Sequence, residues 1–300
     1  MSGIYGITTK FGLDTNNPVT KRFNFMSDTI CLKEEHVQTA GNVGTRSEPS
    51  ERVRTGLQRV GGTVVLQPTP IELNSILQFA MGGTPQVGTP AGKTTFPLAD
   101  TLSTFFTQSD RGSKVFLYSG CAIDKLIAKS TQGGPLSVTL EIVGQTETIG
   151  NSGTFPAIDF DRTQNCFMHQ DLVLTINGQP YKCPDFELTI DNMIDRDRFF
   201  NSATLTSVQP TGRLITLNTK LPYGDASAAY NLASAGVSAD ATFTNGVLSL
   251  DFVMPALQIP RETPPIEGRH ELFLPIQAVA RKVGAVAGTT DELSVILDLT

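Results

Sequence analysis

The sequence predicts a mainly β chain built from two copies of one β-rich unit, each with a flanking α-helix. Three observations carry this. Only 17% of the 300 residues are charged, against about 25% in an average domain. Thr, Ser, Asn, Gln and 27 glycines fill the difference, which suits strands and turns rather than long helices. Short runs then alternate apolar and polar residues, as in a sheet with one covered face. Finally, the order of those runs occurs twice, in a chain long enough for two domains of about 150 residues.

The elements follow in order. Gly62–Gln67, Lys114–Ser119, Ala122–Ala128 and Leu136–Val143 read as strands in the first half. Asp171–Ile176, Phe186–Ile190, Gly212–Leu217, Val247–Val253, His270–Val279 and Leu293–Leu299 follow in the second. Asn177-Gly178 and Asn245-Gly246 stand between such runs, and Asn-Gly is the strongest short hairpin signal, so neighbouring strands should be antiparallel. Thr69-Pro70-Ile71-Glu72 has the form of a capping box with proline at the first helical position. Ile71, Leu73, Ile76, Leu77 and Ala80 continue it as an apolar stripe that ends at Gly82 or Gly83. This helix is expected to cover an open sheet face. A weaker helix is expected over Ala226–Ala235, capped by Asp225 and closed by Gly236.

The two halves share a plan. Arg22–Asp28 resembles Asp185–Asp191, Val60–Leu66 resembles Thr211–Leu217, and Phe116–Val143 has a counterpart in Phe252–Val279. We read an internal duplication, with a first unit over residues 1–150, a linker over 151–164 and a second unit over 165–300. The connecting segments differ. Leu32–Arg59 is a long polar loop, Met193–Thr211 a shorter one, and Gly83–Pro97 a third, rich in Gly, Pro and Thr. Loops of such length tend to carry function or to be disordered.

Several function classes are excluded. The net charge is -6 and no block of Lys and Arg exists, so the chain lacks the footprint of a nucleic-acid binder. Cys31, Cys121, Cys166 and Cys183 are too few and too scattered for a disulfide framework and read as reduced, buried thiols. The start has no basic segment followed by an apolar run, and no apolar stretch approaches the ~20 residues of a membrane span. A cytoplasm-like compartment, or an exit other than secretion, is expected.

No catalytic or metal constellation stands out. Gly88–Thr94 approaches a phosphate-binding loop but is one residue short and follows a helix, so it reads as an ordinary flexible loop. His36, His169 and His270 show no zinc-helix spacing. Gly150-Asn151-Ser152-Gly153 is not a nucleophile elbow. Asp191, Asp195 and Asp197 interleave with Arg196 and Arg198, which suggests solvated or intersubunit ion pairs rather than a calcium loop. Phe105-Phe106 and Phe199-Phe200 are adjacent aromatic pairs. Neighbours in a strand point to opposite faces, so either both sides are covered within the domain or one ring packs on another subunit. No cofactor and no enzyme activity are expected.

An ordered set of motifs carries a resemblance. The first half shows Arg52-Val53-Arg54, Val60-Gly61-Gly62-Thr63-Val64, Thr69-Pro70-Ile71-Glu72-Leu73 through Met81-Gly82-Gly83, and Phe116–Leu126. The second shows Asp171-Leu172 through Gly178, Phe186–Asn192 and Pro210-Thr211-Gly212-Arg213. In these the chain resembles the major tail tube proteins of long-tailed, siphovirus-type bacteriophages, in their duplicated two-domain form. The resemblance implies two tandem tail-tube-type domains, each a β-sandwich or partly closed β-barrel with a flanking helix. It implies self-assembly: six units per ring, hence three chains, and rings stacked into a tube. It also implies a tape-measure protein in the bore, tail-tip and terminator proteins at the ends, and DNA that transits without specific binding. The protein would be made in the host cytoplasm and reside in the virion tail. Other phage structural roles, such as decoration or tail completion, remain open, as does a carbohydrate-binding or glycan-cleaving β-sandwich. The absence of Trp and the mere five Tyr count against sugar stacking.

The two unequal polar loops occupy equivalent places, and we expect them to make the ring-to-ring contacts. The candidate residues are Lys33, Glu34, Glu35, Arg46, Glu48, Glu51, Arg52 and Arg54 in the first, and Asp195, Arg196, Asp197 and Arg198 in the second. The acidic excess would leave a bore to which phosphates do not stick.

Overall fold

The computed structural model describes residues 6, 9–39, 41, 47, 50–88, 91–151, 165–224, 230, 236–266, 268–269, 271–284 and 291–299. All of the expected weaker helix but Tyr230, most of the linker over 151–164 and His270 lie outside them, as do Arg46 and Glu48.

The chain opens with β1 (Lys10–Asp14), β2 (Arg22–Phe23), β3 (Phe25–Asp28), β4 (Cys31–Gln38) and β5 (Val53–Leu66). After α1 (Pro70–Met81) come β6 (Gln86–Val87), β7 (Lys93–Phe96), β8 (Phe105–Asp110), β9 (Lys114–Thr131), β10 (Ser137–Gly144) and β11 (Thr146–Asn151). The rest comprises β12 (Leu172–Ile176), β13 (Gln179–Tyr181), β14 (Asp185–Asp191), β15 (Ile194–Asp195), β16 (Gln209–Pro210), β17 (Leu214–Pro222), β18 (Val237–Asn245), β19 (Leu248–Gln258), β20 (Phe273–Ala280) and β21 (Ser294–Asp298). The fold is mainly β, as the sequence indicates.

All named strand pairs are antiparallel, and seven of them occur twice in the same plan. In the first half β1 pairs with β2 and β8, β9 with β8, β10 and β11, and β5 with β3 and β10. In the second, β12 pairs with β13 and β18, β19 with β18, β20 and β21, and β17 with β14 and β20. Two ladders join the halves. Lys125–Thr131 of β9 pairs with Asp185–Asp191 of β14, and β7 adds to the edge of β21.

Burial alternates along β14, β17 and β20, which puts Leu188, Ile190, Leu217 and Ile276 in the core. One apolar cluster runs through both halves, with Phe186 edge-on to Phe243 at 5.5 Å. A second, smaller cluster joins Ala122 and Val143 to Ile194 and Leu205.

α1 forms as its caps dictate. Thr69 N–H donates to Glu72 Oε2 at 2.7 Å, and Glu72 N–H donates to Thr69 Oγ1 at 3.4 Å. Gly82, in the left-handed region, closes the helix through its N–H to Gln78 O. Leu73, Ile76, Leu77, Phe79, Ala80 and Met81 are all buried, so the helix is wrapped on more sides than a stripe suggests. Ile71 is the exception and stands exposed, although its neighbours Pro70 and Glu72 are buried.

Three expectations need correction. Leu32–Arg59 is mostly a ribbon, since β4 and β5 pair from Cys31 opposite Gly61 out to Gln38 opposite Val53. Its outer part is wet on both faces, so no apolar alternation announces it. Gly83–Pro97 contains the β6–β7 hairpin. Lys114–Ser119 and Ala122–Ala128 are one strand of 18 residues. Gly120 bends it at φ 60, where a Cβ would strike the Gln145 side chain, and so β9 serves one sheet before the bend and another after it. Asn177-Gly178 stands as the expected two-residue turn, both residues having the positive φ of type I′, whereas the second hairpin turns one residue later, on Gly246 and Val247, because Asn245 still pairs with Leu248.

Candidate functional site and assembly surfaces

The chemistry-bearing side chains are tied into the fold. His169 is buried, with Nε2 2.8 Å from Cys183 O and Nδ1 2.9 Å from Ser130 Oγ. Burial pushes the Cys121 thiol up to about 12, far from the thiolate a nucleophile needs. All four cysteines are free thiols; Cys121 is buried and the others half-buried. Lys93, in the segment that approaches a phosphate loop, pairs with Asp251 and Asp298. Among the described residues no cluster of His, Cys, Asp and Glu could hold a metal ion, and no helix is long and apolar enough to cross a membrane.

The described candidate residues of the two polar segments lie on the surface or close beneath it. The β4–β5 arm exposes Lys33, Glu34, Glu35, Glu51 and Arg54, with Arg52 half-buried. It also exposes Val37 and Val53. Glu34 ties its two strands together by accepting from Thr55 Oγ1 at 3.1 Å and Gln58 Nε2 at 2.9 Å. Glu35 pairs with Arg59 at 3.6 Å, and Arg52 donates to Gly41 O.

The 193–211 segment folds back over the base of this arm. Gln58 N–H donates to Ala203 O at 2.7 Å. Arg59 pairs with Asp197 at 2.8 Å and lies 4.7 Å over the Phe199 ring. Arg196 pairs with Asp124 and with Glu141, and Asp124 also accepts from Ile194 N–H at 2.7 Å. Asp195 accepts from Asp197 N–H. Arg198 donates to Ser207 Oγ and lies over Phe200. These contacts are made inside the chain, where the sequence suggests solvated or intersubunit pairs. The two candidate patches therefore meet at Arg59 and Asp197. Of the aromatic pairs, Phe105 is buried and Phe106 and Phe199 are half-buried, while Phe200 is 67% exposed.

Sequence reasoning misses Asn192. It is 2% exposed. Its Nδ2 donates to Ala80 O at 3.1 Å and Ile123 O at 2.9 Å, and its N–H to Asp124 O at 2.7 Å. Ala80 O is one of the carbonyls a helix end leaves without a partner, so one amide fastens α1, β9 and β14 together. A lone Asn after a strand carries no periodic signal. Asn192→Leu should lower unfolding stability by about 2–4 kcal/mol, because two buried acceptors lose their donors; the urea midpoint measures it.

The face of the joined sheet opposite the core is polar. Across the β9–β14 seam Lys125 pairs with Asp191 at 3.2 Å and Lys129 with Glu187 at 3.0 Å. The hydrogen bond from Lys129 holds Glu187 below the usual carboxylate range, and the bond to Asp191 raises Lys125. Glu187 thus stabilises the fold above the ordinary carboxylate range, and that stabilisation is lost as pH falls through its lowered value. Lys125 contributes below the ordinary amine range and loses its contribution only as pH rises through its raised value. Thermal midpoints should therefore fall on acidification past about pH 4, and less steeply in Glu187→Gln.

A family model described as phage tail tube protein matches residues 5–279. No curated protein matches the chain.

Proposed function

The chain belongs to the phage tail tube protein family, and from that premise we propose that three copies close into a ring of six similar units, and that such rings stack into the tube through which DNA leaves the virion. The structural role, self-assembly into a tube and residence in the virion tail come with the family. The finer reading rests on one observation, the seven-pair strand plan that occurs twice. Two copies of one unit per chain make a head-to-tail ring close with half as many chains. We take residues 1–150 and 165–300 as the two units, joined by 151–164.

The β4–β5 arm is assigned to ring-to-ring contact through Lys33, Glu34, Glu35, Glu51, Arg52 and Arg54. A two-stranded ribbon wet on both faces is marginal alone and gains from being covered. Arg46 and Glu48 belong to the same assignment by sequence. Asp195, Arg196, Asp197 and Arg198 brace the base of the arm, and Phe200 beside them offers an exposed ring.

We assign the polar face of the joined sheet to the bore. Lys125 and Lys129 there are each held by a carboxylate, which leaves these two less available to grip phosphate. The tape-measure protein would fill this bore before ejection, with tail-tip and terminator proteins at the ends. A structural role of this kind needs no catalysis. Electron microscopy of the purified protein tests the reading. Hollow tubes or rings are expected; uniform monomers at every concentration would overturn it.

A further inference from the structure

The ladder that joins the two halves inside the chain has a counterpart that is missing from the chain, and its two sides are both present. β14 has β17 on one edge and β9 on the other. Its equivalent, β3, has β5 on one edge and, among the described residues, no strand on the other. A groove of about 680 Å³ borders β3, lined by Asn24, Phe25, Met26, Ser27 and Asp28 together with Ser109 of β8.

The strand that should fill it is interrupted in a telling way. β9 pairs with β10 from Ala122 to Lys129, whereas β19 pairs with β20 only at Leu257 and Gln258. Arg281 N–H donates to Ala256 O at 2.8 Å, so Ala256 and Gln258 direct their backbone groups at the β20 side. In an extended chain that direction alternates, so Pro260, Glu262 and Pro264 would face β20 as well. Carrying the register on sets Pro260 opposite Gln277, Glu262 opposite Pro275 and Pro264 opposite Phe273. Each of these hydrogen-bonded positions contains one proline, which has no N–H to give. The same prolines favour extended backbone before them. Ile259, Arg261 and Thr263 keep their donors, and those point away from β20.

We infer that Ile259–Thr263 is a seam strand that completes its ladder only on the β3 edge of a second copy of this chain. The inference rests on the ring proposed above and names its chain-to-chain joint. The register follows from the internal seam. Phe25 stands opposite Leu66 as Leu188 does opposite Leu217. Leu188 faces Ala128, which faces Val138. Val138 faces Leu66 as Ala278 faces Leu217, and Ala278 is next in register after the Gln258–Val279 pair. Ile259 therefore falls opposite Phe25 of the second copy, Ile259 buried and Phe25 packed against the core; the β3 ladder shifts register between Phe25 and Ser27, leaving Met26 as the extra residue of a bulge, so Gln258 falls opposite Ser27, both exposed. Because Gln258 directs its backbone at β20, Gln258 and Ser27 form the closer, non-hydrogen-bonded kind of pair, with Cα atoms about 4.5 Å apart, within disulfide reach.

The test is a tube or ring preparation of the full chain carrying Ser27→Cys and Gln258→Cys, oxidised mildly and run on a non-reducing denaturing gel. Covalent trimers that stop at three chains are expected, with monomers from either single variant. Ser27→Cys with Glu262→Cys, about 13 Å out of register, should not cross-link. Tubes that form without cross-linking, or that cross-link equally in the out-of-register pair, would overturn the seam and leave the tube reading standing. A double variant and a parent chain that both stay monomeric would overturn the tube reading and the seam with it.

Discussion

Leu77→Asp should leave no soluble, folded protein. Leu77 is 1% exposed and sits in the α1 segment that packs on β9, β7 and β21. Deleting its packing costs about 2–5 kcal/mol, and a buried carboxylate without a partner adds several more. A domain holds only about 5–15 kcal/mol in reserve. Leu77→Met, which keeps the volume, should cost less than about 1.5 kcal/mol and separates this effect from handling losses. A soluble Leu77→Asp chain with native circular dichroism would contradict the structural role given to the helix.

The helix was the most legible element because three independent signals coincide in it: the Thr69–Glu72 box, Pro70 at its start and Gly82 at its end. β8 shows the opposite case. Thr107, Gln108, Ser109 and Asp110 are buried there, and Ser109 Oγ donates to Asp28 Oδ2 at 2.6 Å. A strand that buries a run of polar residues has no hydrophobic period to read. β18 hides for a milder reason: Ala239 and Ala241 fill two of its core positions, and alanine marks a covered face weakly.

Replacing Val37–Arg54 by a two-residue Asn-Gly turn should give a folded subunit that no longer builds tubes. His36 stands opposite Thr55, so a type I′ turn closes the shortened ribbon without altering its register. None of the described residues removed is buried, so the thermal midpoint should change little while sedimentation shows only small species. Normal tubes from this variant would remove the arm from ring-to-ring contact.

The candidate patches were legible as polar segments of unequal length in equivalent places, and the fold brings them to one corner through Arg59 and Asp197. What sequence does not convey is direction. Arg196 looks like a surface charge, yet Asp124 and Glu141 from strands far along the chain hold it. Such pairs depend on register between β9, β10 and β14, which no local spacing encodes.

The number of chains per ring tests the account most directly. Averaged end-on images of assembled tubes should show six similar lobes with true threefold symmetry, three chains to a ring. Six chains to a ring, or a ring whose lobes do not alternate between two kinds, would contradict it.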